Sequence, residues 1–248
     1  MRKAAILAVS ALSIAAAACS AGAREGGDES ERPSAQRNFQ VGAFQSIALS
    51  GSPDVVVTVG GAPSVRAEGD PRLVERLDIR VENGSLKIGY RESSGWNLNF
   101  GSHRNATVHV TVPSLAAAAV TGSGDMRIDR VQGDRFVGTV TGSGDLVIGE
   151  ARVGQAVFAV TGSGAIRAAG AAQRSEVELA GSGDVDLANL ESRDAVVALH
   201  GSGDITAKAT QTARAGLFGS GDIAITGTAR CQIEKRGSGN VVCGGQTG

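Results

Sequence analysis

The sequence predicts an all-β fold, a parallel β-helix-like solenoid with coils of about 18–20 residues, and three observations predict it. Gly-Ser-Gly recurs at 122, 142, 162, 181, 201, 219 and 237, in steps of 20, 20, 19, 20, 18 and 18 residues. Between the copies apolar residues alternate with polar ones, the period of a strand with one buried face. Helix-forming runs are nearly absent, with only Pro71–Leu77 able to make a turn or two. A coil this short cannot bury its apolar face alone, so the copies must stack. An antiparallel β meander of repeated hairpins has the same parity and is the alternative.

Residues 1–19, MRKAAILAVSALSIAAAAC, read as a signal peptide: Arg2 and Lys3 precede an apolar stretch, Ala4 to Ala18, too short to span a bilayer. Its end, Ala16-Ala17-Ala18-Cys19-Ser20, resembles a bacterial lipoprotein signal, although Ala16 stands where leucine is usual. The expectation is lipidation of Cys19, a membrane partner through that lipid, and an outer-membrane location. Cleavage after Ala18 or Ala23 would instead release a soluble periplasmic or secreted protein. Residues 20–38 are polar and charged with almost nothing to bury, and read as a flexible tether.

Residues 39–248 then form the β-solenoid domain, with 39–115 as degenerate N-terminal coils and 116–248 as the repeat. In the degenerate coils Val55-Val57-Val59, Leu77-Ile79-Val81, Leu86-Ile88-Tyr90 and Val108-Val110-Val112 alternate. Asn83-Gly84 between two of these runs signals a tight hairpin turn. Gly51-Ser52-Pro53-Asp54 is an early, degenerate copy of the repeat.

Within the repeat, columns fall out by counting in twos from each first glycine. Two before it stand Val120, Val140, Val160, Leu179, Leu199 and Leu217. Four after it stand Met126, Leu146, Ile166, Val185, Ile205, Ile223 and Val241. Small residues fill the column six before, from Ala116 through Ala156, Ser175, Ala195 and Ala213, with Phe136 the exception. Cys231 and Cys243 lie six residues either side of Gly237, both on the inward parity. In an exported protein they make a candidate disulfide at the open end of the stack.

The formal net charge of −1, with both signs interspersed, argues against nucleic acid as a partner. Three cysteines and the scattered His103, His109 and His200 fit no zinc spacing. No cofactor is expected.

Four stretches in order carry a family resemblance: FQSIALSGSPDVVVTVG, LDIRVENGSLKIGY, ATVHVTVPSLAAAAVTGSGDMRI, and the serial GSGD copies. Together they resemble the head GIN domain named for autotransporter adhesins, over about residues 39–245. The resemblance implies a right-handed β-helix-like domain, often exported or lipid-anchored, without established enzymatic activity. Pro53, Ala165, Asn240 and the C-terminal cysteine pair depart from the pattern, and Ala165 and Asn240 weaken any indispensable role for the repeated aspartate.

The repeat aligns Asp125, Asp145, Asp184, Asp204 and Asp222 along one edge, and two chemistries suit them. Calcium is one, as in solenoids that bind it between turns, although it needs six to eight oxygens and each coil offers one carboxylate. The plainer one is an Asx-type cap, each carboxylate accepting N–H groups across its own bend, a task Asn240 performs without charge. The repeated serine lacks the G-x-S-x-G elbow and a recurring histidine, so no nucleophile is expected. Thr121, Thr141 and Thr161 make an outward column, read as a packing ladder. Arg127, Arg167 and Asp186 are the nearest approach to a carbohydrate-active site, with no clustering evident in sequence.

Arg91–Asn105 is the most individual stretch. It holds the only tryptophan, Trp96, with Asn97, Asn99, Phe100, His103 and Arg104, in a chain poor in aromatics. Its aromatic rings either fold over the solenoid wall or, with the amides, contact a sugar or peptide. The expected function is therefore non-enzymatic: adhesion to, or interaction with, an envelope or surface protein or glycan. A structural envelope protein without a ligand is the alternative, and a β-helix enzyme the remoter one.

Overall fold

The computed structural model describes residues 34–91, 106–244 and 246–247. It is 75% strand and 3% helix, wound into a β-solenoid of about 6 turns. No helix among the described residues is long and apolar enough to cross a membrane.

The N-terminal region contains β1 (Ala35–Phe39), β2 (Ser46–Gly51), β3 (Asp54–Val59), β4 (Ser64–Gly69), α1 (Pro71–Arg76), β5 (Leu77–Glu82), β6 (Ser85–Tyr90), β7 (Ala106–Val112) and β8 (Ala117–Gly122). The coil β2–β3 is its centre, and the chain builds on both sides of it. β2 pairs in parallel with β6 and β8, and β3 with β7. β4 then lies antiparallel to β7, β1 to β4, and β5 to β6. The region expected as degenerate successive coils thus has two parallel-stacked strand pairs, β2–β3 and β6–β7, extended by antiparallel strands. The hairpin β5–β6 turns through Asn83 (φ 50°) and Gly84 (φ 74°), both left-handed as a two-residue turn requires.

α1 leads from β4 in one wall to β5 in the other, across the N-terminal end of the core. Asp70 accepts the Arg72 N–H at 2.9 Å, and Pro71 suits the first turn, where no N–H partner is needed. Val74 is buried beneath the helix and Leu73 packs on the core edge. One boundary moves. Ala35–Asn38, read as tether, belong to β1, because backbone pairing with Arg66–Gly69 needs no apolar side chains.

β9 (Met126–Gly142), β10 (Leu146–Gly162), β11 (Ala165–Gly181), β12 (Asp184–Gly201) and β13 (Asp204–Gly219) are one coil each, followed by β14 (Ile223–Thr226), β15 (Arg230–Gly237), β16 (Val241–Cys243) and β17 (Gln246–Thr247). From β8 to β16 every coil-to-coil pairing is parallel, so the repeated-hairpin alternative does not apply. The first glycines stack in register, Gly122 on Gly142, Gly142 on Gly162, and on to Gly219 on Gly237.

The inward columns are buried as their parity predicts, from Val120 and Met126 to Leu217 and Val241. Ala116 is the exception. It is exposed and Leu115 takes the buried place, since the chain has only just left the Pro113-Ser114 turn. At the far end Lys235 occupies the column filled by Leu217 one coil earlier, and it is exposed. Among the described residues no further coil covers that position, and a charged residue stands there in place of an apolar one.

Candidate functional site

The bend of each repeat depends on close backbone approach. Gly142 has φ +120°, and a Cβ on it would lie 2.5 Å from the Gly122 carbonyl oxygen. A Cβ on Gly144 would meet the Gly124 oxygen at 2.1 Å, which no side chain tolerates. This approach lets the Gly122 oxygen accept both the Ser143 N–H at 2.8 Å and the Gly144 N–H at 3.0 Å.

The aspartates follow each bend and tie coil to coil. Asp54 Oδ1 accepts the Asp125 N–H at 3.2 Å, Asp125 that of Asp145 at 3.0 Å, and Asp145 that of Ala165 at 3.0 Å. Beyond the break at Ala165 the pattern resumes: Asp184 to Asp204, Asp204 to Asp222, and Asp222 to Asn240. The local cap expected across each aspartate's own bend is corrected here. The carboxylate serves the equivalent N–H one coil later, because stacking brings that group closer than any within the bend.

The two departures are explained by the same ladder. At Ala165 no carboxylate is available, and the Asp184 N–H turns to the Gly164 carbonyl at 3.3 Å. Asn240 ends the ladder, and among the described residues no further coil awaits a carboxylate. Asp145 also accepts from Arg167 at 2.9 Å, and this hydrogen bond raises the guanidinium further above its ordinary value. Among the described residues no group of three or more His, Cys, Asp and Glu is placed to hold a metal ion.

The remaining sequence candidates are dispersed or outside the described residues. Arg167 and Asp186 are register neighbours, but Arg167 binds Asp145, and Asp186 accepts from Thr206 Oγ1 at 2.8 Å and the Ala188 N–H at 3.0 Å. Arg127 sits 3.9 Å from Asp125, two coils before Arg167. The threonine column aligns Thr121, Thr141 and Thr161 in register. Cys231 and Cys243 form a disulfide, joining the two walls of the last coil. Cys19 and the loop residues Trp96, Asn97, Asn99, Phe100, His103 and Arg104 lie outside the described residues.

The ends of that loop are placed. β6 stacks on β2 and β7 on β3, the two strands that the bend Gly51-Ser52-Pro53 joins, and in sequence residues 92–105 link β6 to β7. Tyr90 borders this corner, its phenol pushed up by burial, with the Arg76 guanidinium 5.9 Å from its ring centre.

A second concave region was not anticipated from sequence. On the outer wall of the last coils, a groove of about 550 Å³ is lined by Arg174, Asp194, Thr212, Arg214 and Arg230. Arg174 pairs with Glu176 at 2.8 Å and Arg214 donates to Gln232 Oε1 at 2.9 Å. Beside it the column that began with threonine continues as His200 stacked on Phe218, ring centres 4.8 Å apart, with Arg236 5.8 Å beyond. The interruption of the threonine column at Ala180 and His200 was its only sequence trace.

Three solved structures share the fold. A putative adhesin from Bacteroides fragilis is 22% identical with a TM-score of 0.77, over 85% of this chain and 96% of that one. A putative lipid binding protein from Parabacteroides distasonis is 24% identical with a TM-score of 0.66, over 84% and 95%. A putative adhesin from Parabacteroides merdae is 18% identical with a TM-score of 0.66, over 84% and 95%. No curated protein matches the chain. The matched family region stops before the disulfide-bearing coil. Through residues 43–229 the chain belongs to the family described as "Putative auto-transporter adhesin, head GIN domain".

Proposed function

We propose that the protein is a non-catalytic contact module of the bacterial envelope, anchored by a lipid on Cys19 and binding an envelope protein or glycan through residues 92–105. The supporting observation is that β6 and β7 stack on β2 and β3, yet the sequence between them runs through residues 92–105 where β2 and β3 are joined by a short glycine bend. A solenoid that needs only three residues to turn the corner carries the chain's only tryptophan in the longer connection. Aromatic and amide groups close together in sequence can combine stacking with hydrogen bonding, the chemistry of sugar and peptide contacts.

The test is binding of the purified protein to isolated envelopes and to a glycan array, wild type against Trp96→Ala. The expected result is a loss of about tenfold or more in affinity with an unchanged circular dichroism spectrum. Absence of wild-type binding to every surface would overturn adhesion and leave a purely structural envelope role. Anchoring is tested separately: Cys19→Ser should abolish palmitate labelling and shift the protein from the membrane to the soluble fraction.

A further inference from the structure

One outer wall carries a charge-free field bounded by opposite charges at equal distances. The middle outward column of β6, β2, β8, β9, β10 and β11 reads Lys87, Ala48, Ala119, Thr139, Ala159, Glu178, in register. The flanking columns over β2, β8, β9 and β10 contain only serine, alanine, valine and threonine. The strands beneath these side chains pair without interruption across this wall. Among the described residues no hydrogen bond or ion pair within 4 Å holds Lys87 or Glu178, and Lys87 acts on its neighbour Glu82 only through its charge.

We propose that this wall is the interface of a two-fold homodimer, packed sheet to sheet. The charge order selects both the partner and the axis. A two-fold axis running along the strands between β8 and β9 reverses the strand order, so Lys87 of one copy faces Glu178 of the other, twice per dimer. The other in-plane axis, perpendicular to the strands, would set lysine on lysine and glutamate on glutamate. The same operation that pairs the charges also pairs sizes, setting Thr139 over Ala119 and Val137 over Ala117. Two sheets pack about 10 Å apart, a gap that lysine and glutamate side chains span together.

The area sets the strength. Six strands spaced about 4.8 Å apart, crossed by five residues rising about 3.4 Å each, cover about 500 Å² per copy. About 1,000 Å² in total is the low end of specific interfaces, so the dimer is a weak one, half-formed at about 10–100 μM. This inference does not depend on what residues 92–105 bind.

Sedimentation equilibrium of the exported chain carrying Cys19→Ser, which removes the lipid, is the test. The expected result is a monomer–dimer equilibrium in that concentration range, weakened severalfold by 0.5 M salt. Lys87→Glu or Glu178→Lys alone should weaken it about 10–100-fold by facing like charges, and the two together should restore it to within about threefold. Thr139→Arg, at the centre of the face, should abolish it without altering the melting temperature by more than a few degrees. A wild-type protein monomeric to 1 mM would overturn the proposal. So would single charge reversals without effect, or a double reversal that does not restore association.

Discussion

Asp145→Ala removes one rung of the carboxylate ladder, and the structure sets its cost. Asp145 Oδ1 accepts the N–H of Ala165, a residue 6% exposed, at 3.0 Å. A charge-assisted bond to a buried N–H contributes about 1.5–3 kcal/mol, and its loss leaves that donor unsatisfied. The Oδ2 contact with Arg167 adds little, because the two side chains are 33% and 51% exposed and solvent screens them. The expected destabilisation is about 2–3 kcal/mol, a fall in Tm of about 4–12 °C for a chain of this size. Asp145→Asn keeps an acceptor oxygen and loses only the charge, so it should cost about 1 kcal/mol or less. Thermal unfolding of the three proteins, with and without 5 mM calcium, is the assay. If Asn costs as much as Ala, the charge rather than the acceptor matters, and the ladder as described is refuted. A calcium-induced rise in wild-type Tm that Asp145→Asn abolishes would refute it in favour of a metal site.

Gly144→Ala should cost about 3 kcal/mol or more by chemical denaturation, since its Cβ would press on the Gly124 oxygen at 2.1 Å and force the stacked coils apart. Gly133→Ala is the control: φ is +143° but nothing lies within 4 Å, so only backbone strain of about 1–2 kcal/mol is expected. Replacing both Cys231 and Cys243 by alanine should cost up to about 3 kcal/mol, measurable as a shift in the urea midpoint, by freeing a loop of sequence separation 12. Lys235→Leu extends the Leu217 column onto the open end. It should raise light scattering on concentration without raising Tm, because no coil among the described residues covers the new apolar surface.

How much was legible in the residues depended on periodicity. From Gly122 onward each column position repeats, so burial of Val140, Leu146 and Ile148 followed from parity alone, as did the hairpin at Asn83-Gly84 from its turn residues. Before Gly122 the chain obeys local alternation without a period. Alternation in Leu77–Val81 and Val108–Val112 marks strands, yet does not say that β5 runs antiparallel or that β7 inserts between β3 and β4. β1 was missed because Gln36, Arg37 and Asn38 carry no apolar signal, and its pairing is made by the backbone.

The candidate sites divide in the same way. The aspartates were visible as a column, but the direction of their hydrogen bonds was not, because a carboxylate can reach its own bend or the next coil with equal sequence grounds. The groove at Arg174, Arg214 and Arg230 joins residues from three coils whose individual positions look unremarkable. Lys87 and Glu178 are far apart along the chain, and only stacking places them in one column at matched distances from β8 and β9.

By itself, then, the sequence determined that glycine bends recur every 18 to 20 residues, which faces point inward, and that Cys231 and Cys243 share the last coil. These are local and periodic properties, written in turn chemistry and in the two-residue period of a strand. The tertiary structure decided between parallel coils and repeated hairpins, and it alone decided that each aspartate caps the coil after its own and that one wall forms a field between opposite charges. Those properties are relations between coils, set by hydrogen bonds and contacts that exist only once the chain is wound.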